Sequence, residues 1–222
     1  MEVSASILNV DNKNYIKTFY RLEKAHVDYF HIDVMDGDFV ENNNINLMTK
    51  YTDTLKGITS IPLSVHLMCK NVKKYVDIFF ASMPRIIYFH YESADSDDEI
   101  FSLINYIKNE DIMVGIAINP ETDVSKIFKF LPFIHNVLIM SVHPGKGGQP
   151  FIEKTIDKIK KLKQYINDNN LENIIEIDGG INYETALKCE SSGADSVVVG
   201  SFLISSKDYT FTVNKLKNQF SN

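Results

Sequence analysis

The sequence predicts an α/β fold of one class, a (β/α)₈ barrel in which eight parallel strands alternate with helices. Short apolar runs rich in β-branched residues recur eight times, and amphipathic stretches separate them. The 222 residues allow about 28 per unit, close to the minimum for this fold. A hydrophobic content of 44% can fill one sizeable core, so we expect a single catalytic domain over residues 1–222.

The predicted strands are short and buried in character, and the segments between them have helical periodicity. In chain order the strands are predicted at residues 3–8, 29–34, 61–67, 85–89, 113–118, 137–140, 174–178 and 196–199. The clearest helix is predicted over 152–166, where apolar residues form one stripe. The fourth strand is short and the last helix, 209–218, has a mixed pattern, so an open sheet of seven strands is the alternative.

Composition excludes several classes of partner. The net charge of -6 and pI near 5.5 provide no general attraction to nucleic acid or to anionic membranes. The N-terminus lacks the pattern of a signal peptide, and no apolar run approaches the roughly 20 residues of a membrane span. Cys69 and Cys189 lie far apart without a CxxC pattern, which favours free thiols in a reducing compartment. We therefore expect a cytoplasmic protein.

Polar side chains stand near the ends of three predicted strands, where ligands bind in barrels of this kind. The second strand carries His31 and Asp33 on one face, the third carries His66, and the seventh carries Glu176 and Asp178. If these faces point inward, imidazoles and carboxylates converge, and such a set suits Zn²⁺, Fe²⁺, Mn²⁺ or Co²⁺. The alternative for each histidine is a buried ring satisfied by hydrogen bonds.

Glycines follow the last three predicted strands. A Gly-rich loop spans 141–151 after the sixth strand, Gly179 and Gly180 follow the seventh, and Gly200 and Ser201 follow the eighth. Backbone N–H groups at such positions often hold a phosphate in this fold. Glycines also serve ordinary tight turns, which is the alternative interpretation of each segment taken alone.

Other side chains near strand ends allow a packing interpretation. Met35, Met68 and Met140 either fill the core or form a polarizable apolar lining beside the metal. We expect His90 and Glu92, which follow the fourth strand, to serve barrel packing or loop support and not catalysis.

Six segments closely resemble the ribulose-phosphate 3-epimerase family, in chain order from the first strand to the last. They are SASIL (4–8), HIDVMDGDFV (31–40), SVHLM (64–68), MSVHPGKGGQ (140–149), DGGIN (178–182) and GADSVVVGS (193–201). The resemblance implies interconversion of D-ribulose 5-phosphate and D-xylulose 5-phosphate in the pentose phosphate pathway. Two positions depart from the usual family pattern, with Glu41 in place of proline and Lys146 in place of phenylalanine.

The resemblance also implies roles for individual residues. The implied metal ligands are His31, Asp33, His66 and Asp178, with Asp33 and Asp178 as the acid/base pair. Substrate contacts are implied for Ser6, His66 and Asp178, phosphate contacts for Gly145, Lys146, Gly147, Gly148, Gly179, Gly180, Gly200 and Ser201, and a site lining for Met35, Met68 and Met140. We also expect one divalent metal ion, most readily Zn²⁺ and otherwise Fe²⁺, Mn²⁺ or Co²⁺, and no organic cofactor. The protein is expected to form a homo-oligomer, either a dimer or a hexamer.

Inversion at carbon 3 of a 2-ketose needs a base on one face and a proton donor on the other, and two aspartates can supply both. A metal ion would stabilise the negative charge of a 2,3-enediolate. Three alternatives stay open: an epimerase for a related ketose phosphate such as allulose 6-phosphate, a metal-dependent hydrolase or aldolase, and a non-catalytic sugar-phosphate-binding protein.

Overall fold

Eight parallel strands close into a barrel, each paired with its neighbours in chain order, in a computed structural model that describes residues 1–217. The strands are β1 (Glu2–Ser6), β2 (Tyr29–Met35), β3 (Leu63–Met68), β4 (Ile86–His90), β5 (Met113–Ile118), β6 (Asn136–Met140), β7 (Ile174–Asp178) and β8 (Ser196–Val199). Because β8 pairs with β1, the predicted barrel is confirmed and the open seven-stranded alternative is wrong.

Helices surround the barrel, as the amphipathic stretches predict. They are α1 (Tyr15–Lys24), α2 (Ile45–Ile58), α3 (Val72–Phe80), α4 (Asp97–Lys108), α5 (Thr155–Asp168), α6 (Tyr183–Ser191), α7 (Ser201–Ile204) and α8 (Tyr209–Lys217). A 3₁₀ run, Val124–Phe133, connects β5 to β6 and contains Pro132, which cannot donate a backbone hydrogen bond inside a helix. Residue 218, the predicted end of the last helix, lies outside the described residues.

Helix α5 begins three residues later than predicted, because the chain before it is tied to the end of β6. The Ile152 N–H donates to the Ser141 carbonyl at 2.8 Å, and the Thr155 N–H donates to the Ile152 carbonyl at 3.0 Å. The apolar stripe is nevertheless placed correctly, since Ile159, Leu162 and Ile166 are buried. The apolar pattern therefore predicts the buried face better than it predicts the boundary.

The β2–β3 pair sets the height of the predicted site residues in the barrel. Its register places Asp33 beside His66 and Met35 beside Met68. Strand β4, the weakest prediction, extends to His90 and is buried along its whole length. Its neighbours on both sides account for this burial, which a short apolar run does not reveal.

The lower barrel interior contains a buried carboxylate, Glu176, which shares the inward face of β7 with Asp178. Its side chain accepts hydrogen bonds from the hydroxyls of Ser4 at 2.6 Å, Tyr88 at 2.6 Å and Ser196 at 3.0 Å. These donors satisfy the carboxylate within the barrel. Glu176 thus fills the barrel below Asp178 and does not join the polar cluster at the mouth.

Neither cysteine forms a disulfide, and both side chains are buried, in line with the predicted thiols. Burial raises the pKa of the Cys189 thiol to about 12. None of the helices within residues 1–217 combines the length and the apolar character needed to cross a bilayer.

Gly115 on β5 leaves the space that the Tyr88 ring occupies, and this predicts a sharp effect of a single methyl group. A Cβ atom on Gly115 would lie 2.2 Å from Tyr88 Cδ1, so the ring and its bond to Glu176 must shift. We expect Gly115→Ala to lower the free energy of unfolding by about 1–3 kcal/mol, measured by urea denaturation. The control is Gly57→Ala in α2, where nothing lies within 4 Å and a gain of about 0.5 kcal/mol is expected. Equal effects at the two positions would contradict this account.

Candidate active site

A cavity of about 230 Å³ opens at the C-terminal mouth of the barrel. Its wall contains nearly every predicted site residue: Ser6, Asp33, Met35, Met68, Met140, Gly145, Lys146, Gly147, Gly148, Asp178, Gly179, Gly180, Gly200 and Ser201. His31 and His66 are fully buried and contact Asp33. The fold therefore brings the predicted residues together, although their individual roles stay predictions.

Four side chains at the floor of this cavity form a cluster that could hold a metal ion. His31, Asp33, His66 and Asp178 each offer one ligand atom, and these atoms all lie within 4.8 Å of one another. His66 Nδ1 is 3.1 Å from Asp33 Oδ1 and 3.7 Å from Asp178 Oδ2. Such spacing suits ligands that surround one cation at about 2 Å each.

The orientation of His31 supports this interpretation. Its Nδ1 lies 3.0 Å from the Ser64 hydroxyl. Its Nε2 is 3.4 Å from Asp33 Oδ1, yet it is buried and makes no hydrogen bond among the described residues. A buried ring nitrogen without a hydrogen bond is costly, whereas a metal ion would satisfy it. The donor set therefore fits a divalent cation, and the alternative of a fully hydrogen-bonded packing histidine does not describe His31.

The two aspartates of the cluster have opposite tendencies to bind a proton in the metal-free chain. Burial would raise the pKa of Asp33, but the charge of His31 and the close contacts of His31 and His66 with the carboxylate hold it well below its usual range. Burial raises the pKa of Asp178 to about 8, and the nearby charge of Asp33 adds to the rise. Neutral pH thus favours an ionised Asp33 and a protonated Asp178, which is the arrangement of one base and one acid.

The two imidazoles also differ. Burial lowers the pKa of His31, but the charge and close contact of Asp33, together with the charges of Asp178 and Glu176, outweigh burial and raise this pKa to about 9. Burial lowers the pKa of His66 to about 4, although Asp33 opposes the effect. In the metal-free chain, therefore, His31 is the imidazole that balances the Asp33 carboxylate.

Asp33 is fixed by contacts on both its side chain and its backbone. The Ser6 hydroxyl donates to Asp33 Oδ2 at 2.7 Å. The Asn44 side chain donates to the Asp33 carbonyl at 2.8 Å and accepts from the Met35 N–H at 2.8 Å. Asn44 precedes α2, so this helix entrance is attached to the end of β2.

Backbone groups dominate the opposite side of the cavity. Gly180 adopts a φ of +63°, and a Cβ atom there would lie 2.5 Å from the Phe151 backbone nitrogen. A Cβ atom on Gly147 would lie 2.3 Å from the Asn9 side chain. At Gly180 the neighbouring atoms belong to backbone, so only glycine permits so close an approach there. Helix α7 begins at Ser201 beside them, and the first N–H groups of a helix lack acceptors within the helix.

The loop after β6 is held by its own polar contacts. The Gln149 side chain donates to the carbonyls of His143 and Lys146, at 2.7 and 2.8 Å. Asn42 donates to the Gly145 carbonyl at 2.7 Å and so links this loop to the chain after β2. The side chain of Lys146 is exposed at the cavity rim. Glu41, the other departure from the family pattern, is also exposed.

Sequence reasoning missed several residues that line the cavity. The clearest is Asn9, whose side chain donates to the Ser201 hydroxyl at 2.8 Å and so joins the chain after β1 to the start of α7. Asn182 caps α6 beside Gly180 and also lines the cavity. Both follow a strand that ends at the mouth, and this position was the available signal.

The chain resembles known proteins over nearly its whole length. The model of the family described as the ribulose-phosphate 3 epimerase family matches residues 2–204. A ribulose-phosphate 3-epimerase from Helicobacter pylori strain J99 is 34% identical over 218 residues, which cover 98% of this chain and 97% of that protein. Another, from Methanocaldococcus jannaschii, is 36% identical over 217 residues, with 98% and 90% covered.

A solved structure shares the fold. The 3-hexulose-6-phosphate synthase from Salmonella typhimurium superposes with a TM-score of 0.69, covering 98% of this chain and 97% of that one. The sequences are 14% identical, so this likeness concerns the barrel alone.

The raised pKa of Asp178 predicts a stability effect in the metal-free protein. The unfolded chain releases this proton near pH 3.8, whereas the folded chain keeps it up to about pH 8, so stability falls as pH rises through that window. An amide carries no such penalty. We expect the melting temperature of Asp178→Asn, relative to wild type, to increase between pH 5 and pH 8 in the presence of a chelator.

The matched control is Asp53→Asn, an exposed aspartate on α2. Its melting temperature relative to wild type is expected to be the same at both pH values. A difference for Asp178→Asn that does not grow with pH would show that Asp178 ionises normally.

Proposed function

Because the chain belongs to the ribulose-phosphate 3-epimerase family, we propose that it interconverts D-ribulose 5-phosphate and D-xylulose 5-phosphate by proton transfer at carbon 3. The observation that carries this proposal is the pair of aspartates, Asp33 and Asp178, which line one cavity beside two imidazoles and approach it from different strands. An epimerase needs such a pair, since one group must take a proton while the other provides one.

Asp33 and Asp178 approach the cavity from β2 and β7, with β8 and β1 between them. A sugar carbon placed between the two carboxyl groups would have one carboxyl group on each of its faces. The ionised Asp33 removes the proton beside the carbonyl, which leaves a 2,3-enediolate, and the protonated Asp178 returns a proton to the other face. The roles are exchanged in the reverse reaction, so no net proton is consumed.

The metal ion of this proposal is held by His31, Asp33, His66 and Asp178, through His31 Nε2 and His66 Nδ1 on the imidazole side. Two imidazoles and two carboxylates favour Zn²⁺, and Fe²⁺, Mn²⁺ and Co²⁺ share these preferences. When bound, the ion supplies positive charge as a Lewis acid where the enediolate oxygens develop negative charge. We propose no organic cofactor.

The rest of the cavity is proposed to bind the substrate and to exclude water. Met35, Met68 and Met140 are almost fully buried and give the floor an apolar lining without acidic protons. The substrate phosphate is proposed to bind Gly179 and Gly180, Gly200 and Ser201, and the loop 145–148. Lys146 at the rim adds a positive charge to that end. Ser6 and His66 are proposed to contact the sugar beside Asp33, which Ser6 already contacts.

The remaining features of the proposal concern the chain as a whole. We propose that the chain is a single catalytic domain and that the protein works in the cytoplasm as a dimer or hexamer. Large exposed apolar side chains on the outer helices, such as Phe211 on α8 at 61% exposure, are compatible with self-association.

Incubation with D-ribulose 5-phosphate in D₂O tests the reaction. We expect D-xylulose 5-phosphate to form with deuterium at carbon 3, because the protein proton donor exchanges with solvent, and NMR measures this incorporation.

The variant Asp33→Asn should lower turnover by about 10²–10⁴-fold, which is the contribution of a general base. Cleavage of a carbon–carbon bond or release of phosphate would instead indicate an aldolase or hydrolase. Substrate binding without turnover would indicate a binding protein. A higher kcat/KM for allulose 6-phosphate than for D-ribulose 5-phosphate would identify the hexulose phosphate as the preferred substrate.

Removal of the metal provides an independent prediction. We expect treatment with a chelator to lower kcat/KM by about 100-fold or more, since a Lewis acid contributes several kcal/mol. Addition of Zn²⁺ should restore the activity, and circular dichroism should show that the chelated protein stays folded. Full activity in a preparation that elemental analysis finds free of metal would show that the ligand assignment is wrong.

A further inference from the structure

A chain of polar contacts leads from His66 away from the cavity, through residues that the proposed reaction does not use. His66 Nε2 lies 2.8 Å from His90 Nε2, and His90 Nδ1 lies 3.3 Å from Glu92 Oε2. Both imidazoles are fully buried, with ring centroids 5.0 Å apart. The other carboxylate oxygen, Glu92 Oε1, accepts the Asn119 N–H at 2.9 Å and the Thr122 hydroxyl. The chain of contacts therefore joins the ends of β3, β4 and β5.

The carboxylate sets the direction of every hydrogen bond in this chain. Burial would raise the pKa of Glu92, but its bonds with His90, Thr122 and Asn119 lower it, so the group is an ionised acceptor at neutral pH. His90 Nδ1 must then donate to Glu92. A neutral imidazole carries one N–H, so His90 Nε2 is an acceptor and His66 Nε2 is its donor. His66 Nδ1 is consequently left with a lone pair.

That lone pair is directed at the proposed metal position. His66 Nδ1 is the ring atom that faces Asp33 Oδ1 at 3.1 Å and Asp178 Oδ2 at 3.7 Å. The opposite tautomer would place a proton on Nδ1, where it would block a metal–nitrogen bond. It would also leave two acceptors, His90 Nδ1 and Glu92 Oε2, facing each other with nothing between them, whereas the acceptors that face each other in the favoured tautomer, His66 Nδ1 and Asp33 Oδ1, would both bind the cation. The chain of contacts thus favours the tautomer that can bind a cation.

We propose that Glu92 and His90 are positioning residues that hold His66 in the tautomer protonated at Nε2 and so prepare its Nδ1 as a metal ligand, an inference that rests on the proposed metal-dependent function. This role differs from loop support, which the contacts of Glu92 Oε1 alone would provide. Partners of ligating histidines contribute about 10–100-fold to metal affinity in other proteins.

Glu92→Gln tests the proposal, because the amide keeps the loop contacts and changes only the bond to His90. Its oxygen remains the acceptor for Asn119 and Thr122, which directs the NH₂ group at His90 Nδ1. His90 must then accept at Nδ1, so the whole chain is reversed and favours a proton on His66 Nδ1. We expect Zn²⁺ affinity, measured by competition with a chromophoric chelator, to fall by about 10–100-fold.

Two controls separate positioning from support. Thr122→Val removes a loop contact and keeps the Glu92–His90 bond, so Zn²⁺ affinity should be unchanged even if the melting temperature falls. Glu172→Gln makes the same charge change at an exposed glutamate just before β7 and should leave affinity and melting temperature unchanged. A merely structural role predicts the reverse for Zn²⁺ affinity: it would fall together with the melting temperature in Thr122→Val and keep its wild-type value in Glu92→Gln.

Imidazole ¹⁵N spectra of the Zn²⁺-loaded wild type provide a test that needs no variant. We expect His90 to carry its proton on Nδ1 and to have a bare Nε2. A proton on His90 Nε2, or wild-type Zn²⁺ affinity in Glu92→Gln, overturns this proposal. The proposed function stays intact in that case if the wild type is active and binds Zn²⁺. A wild type that binds no divalent metal overturns the metal site and this inference together.

Discussion

The carboxylate of Asp33 is a nearly buried charge, and the surroundings of the site are arranged to compensate it. His31, His66 and Ser6 all face its oxygens at 2.7–3.4 Å. A charge in this position is costly unless it is paired or binds a metal, so each of these partners must be held in place. Burial raises the pKa of Asp178, and the same charge adds to the rise, so the metal-free chain favours a protonated carboxyl group beside an ionised one.

The barrel supplies the rigidity that this compensation requires. Parallel pairing of β2 with β3 sets Asp33 beside His66 and His31 beside Ser64, and neither relation can change unless the register changes. Asn44 holds the backbone of Asp33 from the start of α2. The backbone-lined side of the cavity depends equally on the close approach of its segments. A Cβ atom would lie 2.3 Å from the Asn9 side chain if placed on Gly147 and 2.5 Å from the Phe151 backbone if placed on Gly180. A polar cluster and a backbone cradle are thus positioned by strands that end at one mouth.

Much of this arrangement could be predicted. Strands β5, β7 and β8 begin and end at the predicted residues, because turn residues and polar residues mark both ends of these short apolar runs. Period-2 alternation identified the inward faces of β2, β3 and β7. It could not separate Glu176 from Asp178, since both share a face and differ only in height along the barrel. The start of α5 was misplaced because a contact with Ser141, distant in the sequence, holds residue 152 outside the helix.

Local periodicity and residue chemistry encode the fold class, the donor types and the strand ends that carry them, so these properties follow from the amino-acid order alone. Which polar groups meet depends on long-range contacts in the folded barrel. His90 and Glu92 read as packing or loop residues, yet the pairing of β3 with β4 brings His90 against His66 and extends the cluster by two groups. Asn9 reaches Ser201 across 192 positions of sequence. The physical reason is that hydrogen-bond partners are selected by strand register and barrel closure, which arise from contacts between residues far apart in the chain.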